Sequence, residues 1–187
     1  MNKKNIILII IILLIVCISL GVYLQKIKKN KNEIEIKPQE EISDEQMRKT
    51  IVTLYYQDKA TKMLVPEGKM VDSKNLLSDP YTELFNLLKA EPKNEKLQSI
   101  IPKETRVLKT ELKGDILYLD LSKEFIDNNI EGKEDENNLI YSIVNTMTEL
   151  NEVNGVKFLI NGKENHEFKD KEINFNNPFL KIKNNEK

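Results

Sequence analysis

The chain has 187 residues and a single cysteine, which excludes an intrachain disulfide and a metal site built from several thiolates. Its formal net charge of −1 conceals an uneven distribution, because six of the 29 basic residues lie within residues 1–31, where no acidic residue occurs. The remainder carries 23 basic against 30 acidic residues, a net charge of −7, so we expect no nucleic-acid partner.

An apolar run of nineteen residues extends from Ile6 to Leu24. At about 1.5 Å per helical residue it spans roughly 28 Å, close to the thickness of the hydrocarbon core of a bilayer. We therefore predict a single-pass membrane anchor over residues 1–24. Two alternatives stay open: cleavage as a signal peptide at Ser19–Gly21, and acylation of Cys17 as in a lipoprotein. Acylation would require a small residue before the cysteine, and a valine stands there.

Lysines flank the apolar run on both sides, two before it and four within residues 26–31. Counted alone, this bias would place the rest of the chain in the cytoplasm. Residues 25–47 show no hydrophobic period and are rich in Lys, Glu and Asn, with Pro38 near the middle. This composition predicts a solvated polar linker.

The first half of the following region contains two predicted strands and a helix. The β-branched and aromatic run Ile51–Tyr56 predicts a strand. Met63–Val71 contains a proline and a glycine, which favours a shorter strand or an edge excursion. Asp79 followed by Pro80 predicts the start of a helix that ends before the next proline. The apolar stripe of this helix comprises Tyr81, Leu84, Phe85 and Leu88.

The second half predicts a hairpin, a longer helix and a final strand. Thr105–Lys113 and Ile116–Leu121 form the hairpin across Gly114-Asp115. The helix extends roughly from Glu134 to Leu150, with acidic residues in its first turn, and Val156–Ile160 is the last strand. The order β-(β)-α-β-β-α-β predicts an α+β domain over residues 48–183, with two helices on one face of a small antiparallel or mixed sheet.

Strand alternation divides the apolar residues of the predicted sheet into two sets, because successive side chains point to opposite faces. The core-facing set comprises Leu117, Leu119, Leu121, Val156, Phe158 and Ile160. The opposite set comprises Tyr55, Ile116, Tyr118 and Leu159. We interpret this second set as a partner-binding surface on the uncovered face. The alternative is that the 62–71 segment, or a C-terminal tail through Phe175 and Phe179, folds over that face.

Few residues would support catalysis. Asp120 and Glu124 are the best candidate carboxylate pair for acid–base chemistry, but a strand end favours Asp120 or Ser122 as a cap of the following turn. His166 is the only histidine and lies in a polar stretch, so a zinc site would lack its other nitrogen or sulfur ligands. We therefore predict no enzymatic activity, no metal and no cofactor.

Six short blocks carry a resemblance that is more specific than the pattern of elements. They are Val52–Asp58 (VTLYYQD), Leu64–Glu67 (LVPE), Ile101–Arg106 (IPKETR), Leu117–Phe125 (LYLDLSKEF), Tyr141–Leu150 (YSIVNTMTEL) and Gly155–Gly162 (GVKFLING). In this order they resemble the GerMN domain of sporulation and spore-germination proteins, over about residues 48–180. The combination at compatible spacing is specific, whereas any single block would be weak.

The resemblance implies a membrane-tethered, extracytoplasmic module of a spore-forming Gram-positive bacterium, similar in fold to the small ring-building motifs of envelope assemblies. It implies a structural or interaction role in sporulation or germination, with other envelope or spore-assembly proteins as partners, and leaves self-association open. We give this placement precedence over the lysine bias, which is a statistical rule. The alternative function is a cell-wall-associated enzyme or glycan-binding accessory that uses Asp120 and Glu124. Family members often have a lipobox or a second domain, whereas this chain has one copy and no convincing lipobox.

Overall fold

The computed structural model describes residues 15–26, 48–129, 132–164, 166–169 and 171–181. The chain divides into two units, Met1–Ser43 and Asp44–Lys187, and each is described by itself.

In the first unit, residues 15–26 form a helix with exposed side chains. Within the described residues, no helix combines the length and the apolar character that crossing a bilayer requires. The predicted apolar span begins at Ile6, and its residues 6–14 lie outside the described part of the chain. The same holds for residues 27–47 of the predicted linker.

The second unit begins with a three-stranded antiparallel sheet. Strand β1, Lys49–Asp58, pairs along most of its length with β2, Leu64–Asp72. Strand β3, Leu97–Gln98, pairs only with the last two residues of β1, so the strand order is β2-β1-β3. The strand predicted at Ile51–Tyr56 is confirmed, and the second predicted segment forms the nine-residue edge strand β2 rather than a shorter strand. Pro66 lies in the edge strand β2, where a residue without an N–H is tolerated.

Two helices follow β2. The first, α1, is the short segment Ser73–Ser78, which the sequence pattern did not predict. The second, α2, is Pro80–Lys89 and begins as predicted, because Oδ1 of Asp79 accepts a hydrogen bond from the backbone N–H of Thr82 (3.0 Å). Three residues of its predicted stripe, Leu84, Phe85 and Leu88, are buried in the core.

A four-stranded sheet forms the other half of the unit. Strands β4, Val107–Lys113, and β5, Ile116–Leu121, make the predicted hairpin, and Gly114 in its turn has a positive φ of 64°. Strand β6, Gly155–Ile160, lies parallel to β5, and β7, Phe179–Leu180, pairs antiparallel with β6. The strand order is therefore β4-β5-β6-β7.

The parallel pairing of β5 and β6 requires a crossover connection, which two helices provide. Helix α3, Glu124–Asp127, is a single turn, and α4, Lys133–Met147, is the predicted long helix. Helix α4 has an apolar stripe that is buried at Leu139, Ile140, Ile143, Val144 and Met147. The crossover thus returns the chain to the sheet while covering its core-facing side.

The α+β class is confirmed, but the prediction of one sheet with two helices on one face is wrong, because the strands form two sheets. The reason lies at the edge of β1 that faces away from β2. There the backbone N–H of Tyr55 donates to the hydroxyl Oγ1 of Thr146 in α4 (3.0 Å). Strand β3 pairs at the end of β1. A helix side chain and a two-residue strand therefore occupy part of the edge on which another long strand would otherwise have paired.

The predicted core positions of β5 and β6 are confirmed, since all six are buried. The ring of Phe158 lies 5.8 Å from that of Phe125 and 5.7 Å from that of Phe175, centroid to centroid. Phe168 joins them at 5.9 Å from Phe125. We call these four buried rings the aromatic cluster. Two of its members, Phe168 and Phe175, come from a C-terminal segment that the sequence pattern did not place in the core.

The C-terminal segment packs against the core and extends the sheet. Phe175 belongs to the aromatic cluster, and Phe179 lies in the edge strand β7. The other segment considered as a cover, residues 62–71, belongs mostly to β2 in the first sheet. The 62–71 segment therefore does not cover the opposite face of the second sheet. The C-terminal segment reaches one side of that face, because Lys157, which alternates with Val156 and Phe158, is buried and donates to the carbonyl oxygens of Phe175 and Asn176.

Candidate functional site

The candidate partner-binding surface is the face of the second sheet that points away from the core. Ile116, Tyr118 and Leu159 alternate with the buried residues of β5 and β6 and are partly exposed on this face. Three exposed charged residues of β4 complete the surface: Lys109, Glu111 and Lys113. We call these six residues the outer face.

Tyr118 lies among charges that pair with one another. Nζ of Lys113 stands 4.2 Å from the centroid of the Tyr118 ring, a cation–π contact. Glu111, opposite Tyr118 in the strand register, lies 2.9 Å from Nζ of Lys109 and 3.7 Å from Nζ of Lys113. The hydrogen bond from Lys109 lowers the pKa of the Glu111 carboxyl, which is therefore ionised at neutral pH. Exposed pairs of this kind contribute little to stability and can rearrange when a partner approaches.

A shallow cavity of about 220 Å³ lies beside Tyr118. Leu159 and Asp120 share its wall with the charged residues of β4. The volume is below the roughly 300–1,000 Å³ that is typical of ligand pockets. The outer face is therefore better suited to contact with another protein surface than to enclosure of a small molecule.

Asp120 has a structural partner. Its Oδ1 accepts a hydrogen bond from the backbone N–H of Gly162 (2.8 Å). This bond supports the turn after β6, in which Asn161 and Gly162 have positive φ angles of 50° and 74°. Asp120 or Ser122 was expected to cap the turn that follows β5. Asp120 instead stabilises the turn that follows the neighbouring strand, β6.

Glu124 lies at the start of α3 and does not belong to the cavity wall that contains Asp120. The hydroxyl of Ser122 donates a hydrogen bond to Glu124 and thereby lowers the pKa of its carboxyl. A general acid at neutral pH needs the opposite shift. Oγ of Ser122 also accepts a hydrogen bond from the backbone N–H of Arg106 (3.0 Å), so it joins the end of β5 to the segment before β4. The arrangement of the two carboxylates is not that of an acid–base pair.

Tyr55 does not belong to the outer face, because β1 lies in the other sheet. Its hydroxyl donates a hydrogen bond to Oε1 of Glu149 (3.2 Å). Burial, and then the charge of Glu149, raises the pKa of the Tyr55 hydroxyl. The prediction that Tyr55 shares a face with Tyr118 is therefore wrong. Alternation relates only residues of strands that pair within one sheet.

His166 is partly exposed in the loop after β6, and its carbonyl oxygen accepts a hydrogen bond from the backbone N–H of Phe175 (2.8 Å). Its side chain borders a cavity of about 250 Å³ together with Lys163 and Glu167. Among the residues that the structure describes, no three His, Cys, Asp or Glu side chains are grouped so that they could hold a metal ion.

The sequence pattern did not single out Lys157, which is buried in β6. Its Nζ donates hydrogen bonds to the carbonyl oxygens of Phe175 (2.8 Å) and Asn176 (2.7 Å), and a carboxylate oxygen of Glu164 lies at 3.8 Å. These partners offset the cost of burying the ammonium group and attach the C-terminal segment to the sheet. The available signal was a lysine within the otherwise apolar strand GVKFLI.

The fold defines a small two-sheet α+β domain with one partly solvated sheet face. A family model described as "Germane: Sporulation and spore germination" matches residues 53–166. The match covers more than half of the chain, and the chain belongs to this family. The resemblance carried by the six sequence blocks is thereby confirmed. No match to a curated protein is found.

Solved structures share the fold. The first GerMN domain of the sporulation protein GerM from Bacillus subtilis is 21% identical, with a TM-score of 0.60 over 71% of this chain and 98% of that one. The tandem GerMN domains of the same protein are 23% identical, with a TM-score of 0.59 over 74% of this chain. The alignment covers 48% of the tandem structure, so the chain spans about half its length. At these identities the likeness shows the fold alone.

A third chain, described as a candidate lipoprotein from Clostridium perfringens, is 23% identical over 75% of this chain and 93% of its own. Its TM-score of 0.49 is too low to support an argument about fold or location.

Proposed function

We propose that the chain is a membrane-tethered, extracytoplasmic module of sporulation or spore germination, which acts as a structural or interaction part of an envelope assembly and not as an enzyme. The proposed organisation is an anchor at residues 1–24, a polar linker at 25–47 and the domain at 48–183. Family membership supports the biological process. The nineteen-residue apolar run from Ile6 to Leu24 supports the anchor in the cytoplasmic membrane.

The interaction role rests on the outer face. Ile116, Tyr118 and Leu159 provide a partly exposed apolar and aromatic centre, and the charged residues of β4 border it. An apolar centre with a polar rim is the usual anatomy of a protein–protein contact. Tyrosine suits such a centre, because it offers a large contact area and a polar tip. The partner we infer is another envelope or spore-assembly protein, and a second copy of the chain is the alternative.

A cell-wall enzyme or glycan-binding accessory that uses Asp120 and Glu124 is not favoured. Asp120 is bonded to the turn at Gly162, and Glu124 is held ionised by Ser122. Both carboxylates therefore have structural partners, and Glu124 is not part of the cavity wall that contains Asp120.

The placement outside the cytoplasm is tested with reporter fusions at the C-terminus of the full-length chain. A phosphatase or β-lactamase fusion should be active, because both enzymes work outside the cytoplasmic membrane, and a GFP fusion should be dark. A fluorescent GFP fusion with an inactive phosphatase fusion would show that the domain is cytoplasmic.

The interaction role is tested by recovering partners of the tagged full-length chain from sporulating cells. Tyr118→Ala should abolish recovery while changing the thermal midpoint little, because the ring is partly exposed. Met70→Ala, at an exposed position of the first sheet, is the control and should leave recovery unchanged. Unchanged recovery with Tyr118→Ala would refute the outer face as the contact surface. A large fall in stability would show that the ring is part of the fold, which also refutes it.

A further inference from the structure

A groove of about 550 Å³ lies along one side of α4. Its other walls come from Tyr55 near the end of β1, from Met63 and Leu64 at the start of β2, and from Lys181 after β7. The volume falls within the roughly 300–1,000 Å³ of known ligand pockets. None of these residues belongs to the outer face, so the groove is a separate feature of the domain.

Two tyrosine rings are held in the groove by contacts behind them. The ring of Tyr141 packs edge-on against that of Phe179, with centroids 6.3 Å apart and planes at 90°. Tyr55 is fixed by the hydrogen bond from its backbone N–H to Thr146 (3.0 Å) and by that from its hydroxyl to Glu149 (3.2 Å). Both rings remain partly exposed. They are therefore preorganised to receive the apolar side of a ligand without further loss of side-chain freedom.

Asparagine amides line the helical side of the groove. Asn137, Asn138 and Asn145 each stand three or four residues from Tyr141, so they share one side of α4. Nδ2 of Asn138 donates a hydrogen bond to the carbonyl oxygen of Lys62 (3.0 Å), which fixes the orientation of that amide. An amide offers both donors and an acceptor. Three of them match a ligand that carries hydroxyl and amide groups at several positions.

The groove presents little uncompensated charge. Among the described residues of its wall, Lys181 is the only charged one. Its Nζ lies 2.9 Å from Oε1 of Glu149, the same oxygen that accepts the Tyr55 hydroxyl. The ammonium and carboxylate thus neutralise each other. A neutral ligand suits this wall better than a nucleotide or another polyanion.

A peptide that adds as an extra strand would lack a backbone N–H partner at two positions, Tyr55 and Pro66. Strand addition needs free backbone groups at a sheet edge. The N–H of Tyr55 at the edge of β1 is already bonded to Thr146, and β2 carries Pro66, which has no N–H to donate. The recognition available here is by side chains: rings, amides and the apolar Met63 and Leu64.

From this combination we propose that the groove binds a neutral glycan whose sugars carry N-acetyl groups. The C–H-rich face of a pyranose ring packs on the faces of Tyr55 and Tyr141. The asparagine amides exchange hydrogen bonds with the hydroxyl and acetamido groups. The acetyl methyl contacts Met63 or Leu64. This binding goes beyond the proposed interaction role, since it uses different residues and requires no protein partner.

The test is isothermal titration calorimetry on the full-length chain, purified in a detergent without a sugar headgroup. The probe is the tetramer of β-1,4-linked N-acetylglucosamine, and cellotetraose, which has the same linkage without acetamido groups, is the comparison ligand. We expect saturable binding of the tetramer at millimolar concentration or below, and at least about fivefold weaker binding of cellotetraose. No heat of binding with the tetramer, or equal affinity for both sugars, would overturn the proposal.

Two variants assign the binding to the groove. Asn145→Ala and Tyr141→Ala should each weaken binding of the tetramer about fivefold or more, and Tyr141→Phe, which keeps the ring packed on Phe179, should restore most of the loss. Asn86→Ala, at an exposed amide of α2, is the matched control and should bind normally. Normal binding by both groove variants would overturn the assignment. A cytoplasmic result in the reporter fusions would refute the proposed location and leave this titration unchanged, so the two failures are distinguishable.

Discussion

Replacing Phe175 by alanine should remove a large part of the stability of the domain. The ring is fully buried, and its centroid lies 5.2 Å from that of Phe168, 5.7 Å from that of Phe158 and 6.3 Å from that of Phe125. Removing a buried phenyl ring loses its transfer free energy and leaves a cavity, which together cost about 3–5 kcal/mol. Domains of this size are stable by only about 5–15 kcal/mol, so the variant should be close to unfolding at physiological temperature.

The measurement is the thermal and urea unfolding of the full-length chain, followed by circular dichroism. For a domain of this size the expected loss corresponds to a fall of roughly 10–25 °C in the midpoint. Leu77→Ala is the control, because its side chain is 81% exposed, and it should change the free energy of unfolding by less than about 0.5 kcal/mol. Phe175→Leu, which leaves a smaller cavity, should fall between the two.

A loss below about 1 kcal/mol for Phe175→Ala would refute the reasoning. It would mean that the C-terminal segment is not part of the core in solution. The boundary of the domain would then lie near residue 166, where the family match ends.

Three further changes test single contacts. Asp79→Ala should lower the free energy of unfolding by about 0.5–2 kcal/mol, because α2 loses its N-terminal cap. An unchanged free energy of unfolding would contradict the role of Asp79 as a cap. Burial raises the pKa of Asp79, but hydrogen bonds, chiefly from Thr82, outweigh burial and leave this pKa below its ordinary value. The contribution of Asp79 to the free energy of unfolding should thus be complete at neutral pH and lost as the pH falls below about 4. In urea titrations the Asp79→Asn variant should therefore lose less stability on acidification than the unaltered chain. Gly155→Ala should cost about 1–3 kcal/mol in thermal unfolding, because its Cβ would lie 2.9 Å from the backbone oxygen of Phe179. Gly68→Ala, whose nearest neighbour is a side-chain atom at 3.4 Å, is the control, and equal losses would contradict the close approach. Lys157→Ala should lower the free energy of unfolding by about 1–3 kcal/mol, because the carbonyl oxygens of Phe175 and Asn176 lose their donor. Unchanged amide hydrogen exchange in the C-terminal segment would contradict this role.

The long strands and α4 could be predicted because their signals are local. The alternation in Ile116–Leu121 and the stripe of α4 are periodic properties of a few turns or residues. The hairpin turn at Gly114 is local as well. What these periods cannot show is which strands pair, because pairing depends on what occupies each edge. The hydroxyl of Thr146 accepts a hydrogen bond from the backbone N–H of Tyr55 at the edge of β1, which helps keep the sheets separate. No pattern within the sequence of β1 predicts this contact.

The same limit explains the outcome at the candidate site. Ile116, Tyr118 and Leu159 share a face because β5 and β6 pair directly, so alternation alone relates them. The prediction for Tyr55 was wrong because β1 belongs to a different sheet, and alternation relates only strands that pair with one another. The groove could not be predicted, since its residues come from β1, β2, α4 and the segment after β7, which only the tertiary fold brings together.

The position of Phe168 and Phe175 late in the sequence has a consequence for the order of folding. Phe125 and Phe158 are synthesised first. Until the segment through residue 175 has emerged, the ring of Phe125 lacks its contacts with Phe168 and Phe175, and the ring of Phe158 lacks its contact with Phe175. A nascent or prematurely terminated chain therefore exposes apolar surface that attracts chaperones, proteases and other unfolded chains. Docking of this short segment onto the sheet then completes the aromatic cluster. The hydrogen bonds from Lys157 to the carbonyl oxygens of Phe175 and Asn176 can form only in a chain that has been synthesised through this segment.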